Sequence, residues 1–350
     1  EMLAAGLVCV AMLLAALVLS LGNTSFHASI DVSQRRVNVH DAVHVQVTVE
    51  NPGATPTASA RADLPMGDEH ERFGIPMLAS RQSKRTTVSF TAIQRAVLPI
   101  GPLMIRKGDP FGLMRHELRL AKRVTVYIHP TVVALGMLHA GIPRDLEGNP
   151  TGDIVDDDLD FYGLREYEPG DDVRNVHWLS SAKTGTLMIR QFEATRRTDT
   201  SLSLGVNPDD YVDAGEFELA VSAHASIGVQ ALREDRPLYA HVGATHTNPA
   251  NPMVFLDECS AVEPRLGDER NLAQGALAFT PDASLYCFTV GSLKPLDDIR
   301  RMASTLPQSA RVVVVQTAPG ATRGLRDFGD FTLATIGELN DLPLVMGAMR

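Results

Sequence analysis

The residues best suited to chemistry lie between Gly163 and Arg190, in the run GLREYEPGDDVRNVHWLSSAKTGTLMIR. His177 stands a few residues after two aspartates and shortly before two serines, Ser180 and Ser181. An imidazole paired with a carboxylate can act as a general base, and a neighbouring hydroxyl can act as a nucleophile. One hypothesis is therefore a hydrolase that uses His177 and a nearby carboxylate, Asp171 or Asp172.

The same segment also supports a structural interpretation, which we prefer. Side chains this close in sequence seldom converge on one reacting atom, and the charges of the segment alternate in sign. We expect His177 and Trp178, the only tryptophan of the chain, to pack, and Pro169 with Gly170 to form a tight turn. The charged residues would form a buried or interfacial ion network that fixes this turn. They are Arg165, Glu166, Asp172 and Arg174.

This run resembles the signature of the family called domain of unknown function 58. The match is GLREYEPGDDVRNVHW followed by AKTG, in which Lys183 replaces the arginine that is usual in the family. Upstream, LPIGPLMIRKGDPFGLMR from Leu98 to Arg115 resembles the family's Gly-Pro, strand and Asp-Pro-Phe-Gly-Leu block. The predicted signature and interaction residues are Asp109, Pro110, Phe111, Gly112, Gly163, Leu164, Arg165, Glu166, Gly170, Asp171, Asp172, Arg174, His177, Trp178, Lys183, Gly185 and Arg190.

The resemblance implies a function as well as a fold. Proteins of this family are membrane-anchored, and their genes often neighbour those of MoxR-type AAA+ ATPases. The resemblance thus implies such an ATPase as the partner, in complex assembly or cell-envelope processes. It also implies that the C-terminal region is similar to a von Willebrand factor A domain.

That likeness raises the question of a metal site. Such domains often carry D-x-S-x-S after their first strand, where oxygen ligands hold Mg²⁺. Asp199, Ser201 and Ser203 give the literal pattern, but the two serines alternate with leucines as strand positions do. A metal loop must lie at the carboxyl end of a parallel strand, and Asp199 precedes the apolar residues. We therefore predict no metal site, with a Mg²⁺-dependent binding module as the alternative.

Other candidate ligands and cofactor motifs are equally weak. The D-x-D-x-D run at Asp156, Asp158 and Asp160 lacks the glycine and glutamate of a calcium-binding EF-hand loop, so we interpret it as a solvated acidic linker. His241 and His246 are five residues apart, a spacing that suits no regular metal-binding face, and we interpret them as strand and loop residues. No phosphate-binding loop, dinucleotide fingerprint, zinc-protease motif or nucleophile elbow occurs. We predict no cofactor and no enzymatic activity.

Composition narrows the choice of partner. The 350 residues carry a formal net charge of −10, which argues against a nucleic-acid binder. The three cysteines are Cys9, Cys259 and Cys287, and they form no metal spacing and no even-numbered disulfide framework.

The first residues predict a membrane segment. Leu3 to Leu21 contains no charged residue and approaches the length of about 20 residues that a helix needs to cross a bilayer. We predict a transmembrane helix that contacts lipid, with a cleaved signal peptide as the alternative. Arg35 and Arg36 are the first basic residues after it, which favours a cell-membrane protein whose soluble domains are cytoplasmic. Because the sequence starts at Glu1 rather than methionine, we interpret it as a fragment.

The remaining patterns predict the elements that position the candidate residues. Valines alternate with polar residues from Val37 to Val49, and strand patterns recur at 85–93, 103–106 and 124–128. Farther on, strands at 202–206, 237–242, 284–290 and 311–315 alternate with helices at 214–232, 271–278 and 295–306. The predicted fold is multi-domain: a transmembrane helix at 1–23, an Ig-like antiparallel β-sandwich at 24–135, an acidic linker with the signature segment at 136–195, and a doubly wound α/β domain at 196–350.

Overall fold

The computed structural model describes residues 25–108, 115–136, 138, 159–171, 173–194, 199–266 and 272–349. These residues form two compact units. The first contains the described residues up to Ala134 together with Asp213–Val229 and Pro249–Leu266. The second contains the described residues of Leu135–Val212, Gln230–Asn248 and Gly267–Arg350.

The described residues form nineteen strands and six α-helices. The strands of the first unit are β1 His27–Val32, β2 Arg36–Asn38, β3 Ala42–Glu50, β4 Ala60–Met66, β5 Glu69–Ile75, β6 Ser83–Thr91, β7 Ala96–Ile100, β8 Leu103–Gly108, β9 Arg115–Leu120 and β10 Val124–His129. Those of the second are β11 Leu159–Glu166, β12 Met188–Ala194, β13 Thr200–Leu204, β14 Leu238–Val242, β15 Thr245–Thr247, β16 Leu285–Val290, β17 Arg311–Thr317, β18 Gly324–Asp327 and β19 Thr332–Ile336. The helices are α1 Trp178–Thr184, α2 Ala214–Arg233, α3 Pro252–Ser260, α4 Leu272–Phe279, α5 Leu296–Ser304 and α6 Asp341–Ala348.

The first unit is a β-sandwich. One sheet has the order β1-β3-β6, and the other has the order β2-β10-β7-β4-β8-β9, with β5 paired to β4. The valines of β3 explain the core, because Val43, Val45 and Val47 are fully buried while the residues between them are exposed. They pack in one cluster with apolar residues of the second sheet such as Leu64 and Ile105. The predicted strand at 37–49 is interrupted, since β2 ends at Asn38 and β3 begins at Ala42.

Helix α3 lies in this unit and contacts the sandwich through Asp257. The Asp257 carboxylate accepts hydrogen bonds from Arg36 at 2.7 Å and interacts with His129 Nε2 at 2.8 Å. Burial alone would raise the pKa of Asp257, but these two partners hold it below its ordinary value. Helices α2 and α3 approach closely at Gly228, where a Cβ atom would overlap the ring of Phe255.

The main sheet of the second unit has the order β15-β14-β13-β16-β17-β19-β18. Its five inner strands are mutually parallel, and β15 and β18 are antiparallel strands at its edges. All residues of β13 and β16 are buried, which explains their near-continuous small and apolar sequence. The predicted helix at 214–232 is confirmed by α2, while β13 begins two residues before the predicted strand.

The predicted fold class is wrong for the described chain. More residues lie in strands than in helices, and no helix of the described ranges is long and apolar enough to cross a bilayer. The predicted transmembrane helix at Leu3–Leu21 lies outside the described residues. The sandwich is also not wholly antiparallel, because β2 and β10 pair in parallel. The von Willebrand factor A likeness and the membrane localisation stay predictions.

Candidate functional site

The signature segment is built on a hairpin of β11 and β12. The two strands pair antiparallel, with Leu164 opposite Arg190 and Glu166 opposite Met188, and the register shifts between Phe161 and Gly163. The Tyr167 N–H donates to the Leu187 carbonyl at 2.8 Å, which extends the pairing by one step. The residues between these strands therefore form a long, ordered connection that holds the candidate side chains.

An ion pair fixes the first turn of this connection. The Arg165 guanidinium donates to both carboxylate oxygens of Asp171, at 2.7 and 2.6 Å. The Glu168 N–H also donates to Asp171, at 2.8 Å. Arg165 and then this backbone donor hold the pKa of Asp171 below its ordinary value, because both stabilise the charged form. Gly170 takes a φ of 118°, a conformation that side chains rarely adopt and that the predicted Pro-Gly turn requires.

Helix α1 is held by hydrogen bonds at both ends. His177 is the N-cap residue, and its Nδ1 accepts from the Ser180 N–H at 3.1 Å, which requires its proton on Nε2 in the neutral ring. At the other end Gly185 adopts the left-handed conformation, and its N–H donates to the Ser181 carbonyl. The Ser181 hydroxyl donates to the His177 carbonyl and accepts from the Met188 N–H, so it ties the helix to β12.

The segment exposes four large apolar side chains. Trp178 is 67% exposed, Leu179 is 70% exposed and Val173 is 62% exposed, and Leu187 is also exposed. The expectation that Trp178 packs is therefore wrong. As the first residue of α1, it lies in a helical turn whose backbone is fixed while its indole ring faces solvent. Such a large ring on the surface is unusual, because tryptophan is highly buried on average.

The other predicted residues differ in their burial, and some lie outside the described residues. Leu164 and Arg165 are half-buried, while Glu166, Gly170, Arg174, Lys183, Gly185 and Arg190 are exposed. Gly163 lies in β11 just after the register shift. Asp109, Pro110, Phe111, Gly112 and Asp172 lie outside the described residues. The observed ion pair joins Arg165 to Asp171, whereas the predicted network was built from Arg165, Glu166, Asp172 and Arg174.

The D-x-S-x-S residues lie where the sequence predicts. Asp199 precedes β13, and its carbonyl accepts from the backbone N–H groups of Ser284 and Leu285 at the amino end of the sheet. Ser201 and Ser203 lie within β13 and are buried. In the described ranges, no group of three or more histidine, cysteine, aspartate or glutamate residues is placed to hold a metal ion.

An ion pair occupies the opposite edge of the sheet. Asp210 follows β13 and Lys294 follows β16, at the carboxyl ends of two neighbouring parallel strands. The Lys294 ammonium lies 2.6 Å from the Asp210 carboxylate, and both side chains are buried. This is the edge at which parallel sheets bind ligands, and the ammonium group there neutralises the buried Asp210 carboxylate.

The sequence analysis interpreted His241 and His246 as strand and loop residues and missed their pairing; His246 in fact lies in a strand. His241 in β14 and His246 in β15 lie directly opposite each other, with Nδ1 atoms 2.6 Å apart. The signal was the two-residue loop Gly243–Ala244, because a hairpin with a two-residue loop pairs residues that are five apart. Gly243 takes a φ of 56°, as such a loop requires.

Comparisons with solved structures give only weak likenesses. The CARDB domain of the PF1109 protein from Pyrococcus furiosus, in complex with di-metal ions, is 17% identical, with a TM-score of 0.25 over 30% of this chain and 92% of that one. A β-glucosidase from Listeria innocua in complex with isofagomine is 11% identical, with a TM-score of 0.20 over 28% of this chain and 16% of that one. TM-scores this low establish neither a shared fold nor a shared function.

Comparisons of sequence give a likeness to one protein family over part of the chain. No curated protein matches the chain. Residues 163–248 match the model of the family described as protein of unknown function DUF58, and the match begins at Gly163, the first residue of the signature segment. The likeness to this family is therefore limited to the signature segment and to the strands and helix that follow it, up to residue 248.

Proposed function

We propose that the chain is a non-enzymatic interaction module whose signature segment, Gly163–Arg190, docks a partner protein. The observation that carries this proposal is the exposure of Trp178, Leu179 and Val173 within one short segment. Interfaces draw most of their binding energy from a few residues, among which tryptophan and arginine are enriched. A surface that a monomer does not need for folding is well suited to this use.

The backbone beneath this surface is held in place before any partner binds. The Arg165–Asp171 pair, the His177 cap and the Ser181 hydroxyl each fix part of it. A preorganised surface loses less conformational entropy on binding, which favours affinity. The same contacts give the polar groups of His177 and Ser181 a structural role, which supports an interaction module over a hydrolase.

The partner that we propose is a MoxR-type AAA+ ATPase, in complex assembly. Its support is the resemblance of the signature segment to the domain of unknown function 58 family. The charge near the exposed apolar residues also indicates which chemical groups the partner should present. Lys183 lies one helical turn beyond Leu179 and is exposed, so the partner should present an apolar pocket with an acidic rim.

The test compares Trp178→Ala with the unchanged protein in binding to a purified MoxR-type ATPase, measured by calorimetry. We expect Trp178→Ala to weaken binding by about 2 kcal/mol or more, which is the loss typical of a central interface residue. Because Trp178 is the only tryptophan, its fluorescence in the unchanged protein should also move to shorter wavelength when the partner covers it.

Ile93→Ala is the matched control, since Ile93 is 81% exposed and lies in the first unit. It should leave both affinity and fold unchanged. Equal affinities of Trp178→Ala and the unchanged protein would rule out the proposed surface. A lack of binding by the unchanged protein would instead rule out the ATPase as partner.

A further inference from the structure

The hairpin of β14 and β15 presents two imidazoles to one point. His241 and His246 form a directly opposed pair one step from the Gly243–Ala244 loop. In a hairpin with a two-residue loop this step is a non-hydrogen-bonded pair, in which the side chains lie closest together. The ring centroids are 4.9 Å apart, and the two Nδ1 atoms face each other at 2.6 Å.

This contact requires a proton between the two nitrogens. Two lone pairs would repel each other at this distance, so one ring must donate its Nδ1–H to the Nδ1 of the other. In the neutral pair, one proton lies between the two Nδ1 atoms, and the accepting ring carries its own proton on Nε2.

The surroundings orient both rings. Phe279 of α4 stacks on His246 with ring centroids 5.1 Å apart, and its ring meets His241 edge-on at 5.5 Å. His241 is only 1% exposed, whereas His246 is exposed on a strand of three residues at the sheet edge. The pair thus combines a fixed inner ring with an outer ring that solvent can reach.

Two buried polar atoms in this part of the sheet have no hydrogen-bond partner. They are the His241 Nε2 atom and the Ser203 hydroxyl. Ser203 is the residue directly opposite His241 on the neighbouring strand β13, so the two side chains share one face of the sheet. Metal-binding histidines usually donate their other ring N–H to an acceptor that orients the ring. A serine hydroxyl can serve as such an acceptor.

From this arrangement we infer that His241 and His246 form a two-histidine chelating site for a divalent transition-metal ion. The ion takes the place of the shared proton between the two Nδ1 atoms. Both rings then carry their protons on Nε2, so binding releases no proton. The His246 Nε2–H reaches water, and the His241 Nε2–H lies buried on the sheet face that also carries the Ser203 side chain.

The distances require a small movement. Metal–nitrogen bonds of about 2.0–2.1 Å place the two nitrogens roughly 2.9 Å apart at the right angle of a tetragonal Cu²⁺ site and roughly 3.3 Å apart at a tetrahedral angle. The pair must therefore open by about 0.3–0.7 Å from its present separation of 2.6 Å. His246 supplies this movement, because its strand is short and lies at the edge of the sheet.

The ligand type selects the metal. Imidazole suits copper, nickel and zinc, whereas Mg²⁺ and Ca²⁺ prefer oxygen ligands. Affinity should be highest for Cu²⁺, following the general order for divalent ions. Two protein ligands leave the other coordination positions to water.

The experiment titrates the full chain, without a polyhistidine tag, with CuSO₄ while binding is followed by calorimetry and by electron paramagnetic resonance. We expect one tightest-bound Cu²⁺ per chain, with hyperfine splitting from two nitrogens. His246→Ala changes an exposed residue and should weaken this binding at least about tenfold, the loss typical even of a group that only supports a ligand. MgCl₂ should not bind at the same concentration.

His44→Ala is the matched control, because His44 is also an exposed strand histidine but lies on β3 of the first unit. It should bind Cu²⁺ as the unchanged protein does. A tightest site that survives His246→Ala, or that shows a single coordinated nitrogen, would overturn the inference. Circular dichroism of the variant before titration confirms that any loss is not caused by unfolding.

Discussion

Asp210 and Lys294 form a buried ion pair. If one charged side chain is removed, the free-energy cost of burying the other is no longer offset. Both side chains are buried and their charged atoms are 2.6 Å apart. Lys294→Met would leave the Asp210 carboxylate buried without its cation, so we expect a loss of about 3–5 kcal/mol in the free energy of unfolding, measured by urea denaturation with circular dichroism.

Lys183→Met is the control for that substitution, since Lys183 is exposed, and it should change the free energy of unfolding by less than about 0.5 kcal/mol. The combined change Asp210→Asn with Lys294→Met should recover part of the loss. If Lys294→Met alone were as stable as the control, the pair would not contribute to folding.

His241 makes stability depend on pH. Its pKa is lowered to about 4 in the folded state, against an ordinary value of 6.5, by burial and by His246. Phe279 also packs against this pair, and Tyr239 contacts Phe279. Between these two values the unfolded chain binds a proton that the folded chain does not. The free energy of unfolding is therefore highest above pH 6.5, and it decreases by up to about 3 kcal/mol as the pH falls towards 4.

The measurement is the free energy of unfolding of the unchanged protein and of His241→Gln from pH 7 to pH 4. Gln does not titrate, so the variant should lose less stability over this range than the unchanged protein. Parallel curves for the two proteins would contradict the assignment of this pH dependence to His241.

At the scale of elements, the contact of α2 with α3 depends on the absence of a side chain at Gly228. A Cβ atom there would overlap the ring of Phe255. Gly228→Ala should therefore destabilise the protein by about 1–3 kcal/mol, although alanine favours a helix more than glycine does. Thermal unfolding followed by circular dichroism measures the effect.

Gly275→Ala is the matched control in α4. A Cβ atom there would meet its nearest neighbour, His246, at 3.6 Å, which is an ordinary contact. We expect this variant to be as stable as the unchanged protein or more stable by up to about 1 kcal/mol. Equal effects of the two substitutions would mean that close packing at Gly228 is not the cause.

Elements with a strong repeating pattern could be predicted from the sequence. The alternating valines of β3 and the valine run of β17 are both found as strands, because burial on one face or on two faces imposes those patterns. Helix α3 was missed, since its nine residues are few for a periodic signal. Its start is nevertheless marked by Asn251, which caps the helix, and by Pro252 in the first turn.

The candidate site was predictable only in part. The turn at Gly170 and the helix end at Gly185 follow from the conformations that glycine permits. The exposure of Trp178 did not follow, because an indole ring ordinarily gains free energy by burial. The pairing of His241 with His246 depends on the length of a loop, which a search for helical or strand periodicity does not detect.

At the scale of the whole molecule, the family match extends from 163 to 248 and so joins the signature hairpin to the first strands of the parallel sheet. The exposed surface of the hairpin and the histidine pair both fall within this range. The exposed apolar residues lie in α1 and the connecting segments beside it, whereas the histidine pair lies on β14 and β15, so the two sets of variants change different elements. Loss of partner binding and loss of metal binding can therefore be tested independently.

The first compact unit is built from segments that lie far apart in sequence, so its parts leave the ribosome at different times. Its sandwich strands end at His129, yet the same unit includes Asp213–Val229 and Pro249–Leu266. On the ribosome, the sandwich strands emerge well before the helical segments that complete their unit. The nascent sandwich must therefore remain partly uncovered until residue 266 has left the exit tunnel, and this interval is when it most needs protection by chaperones.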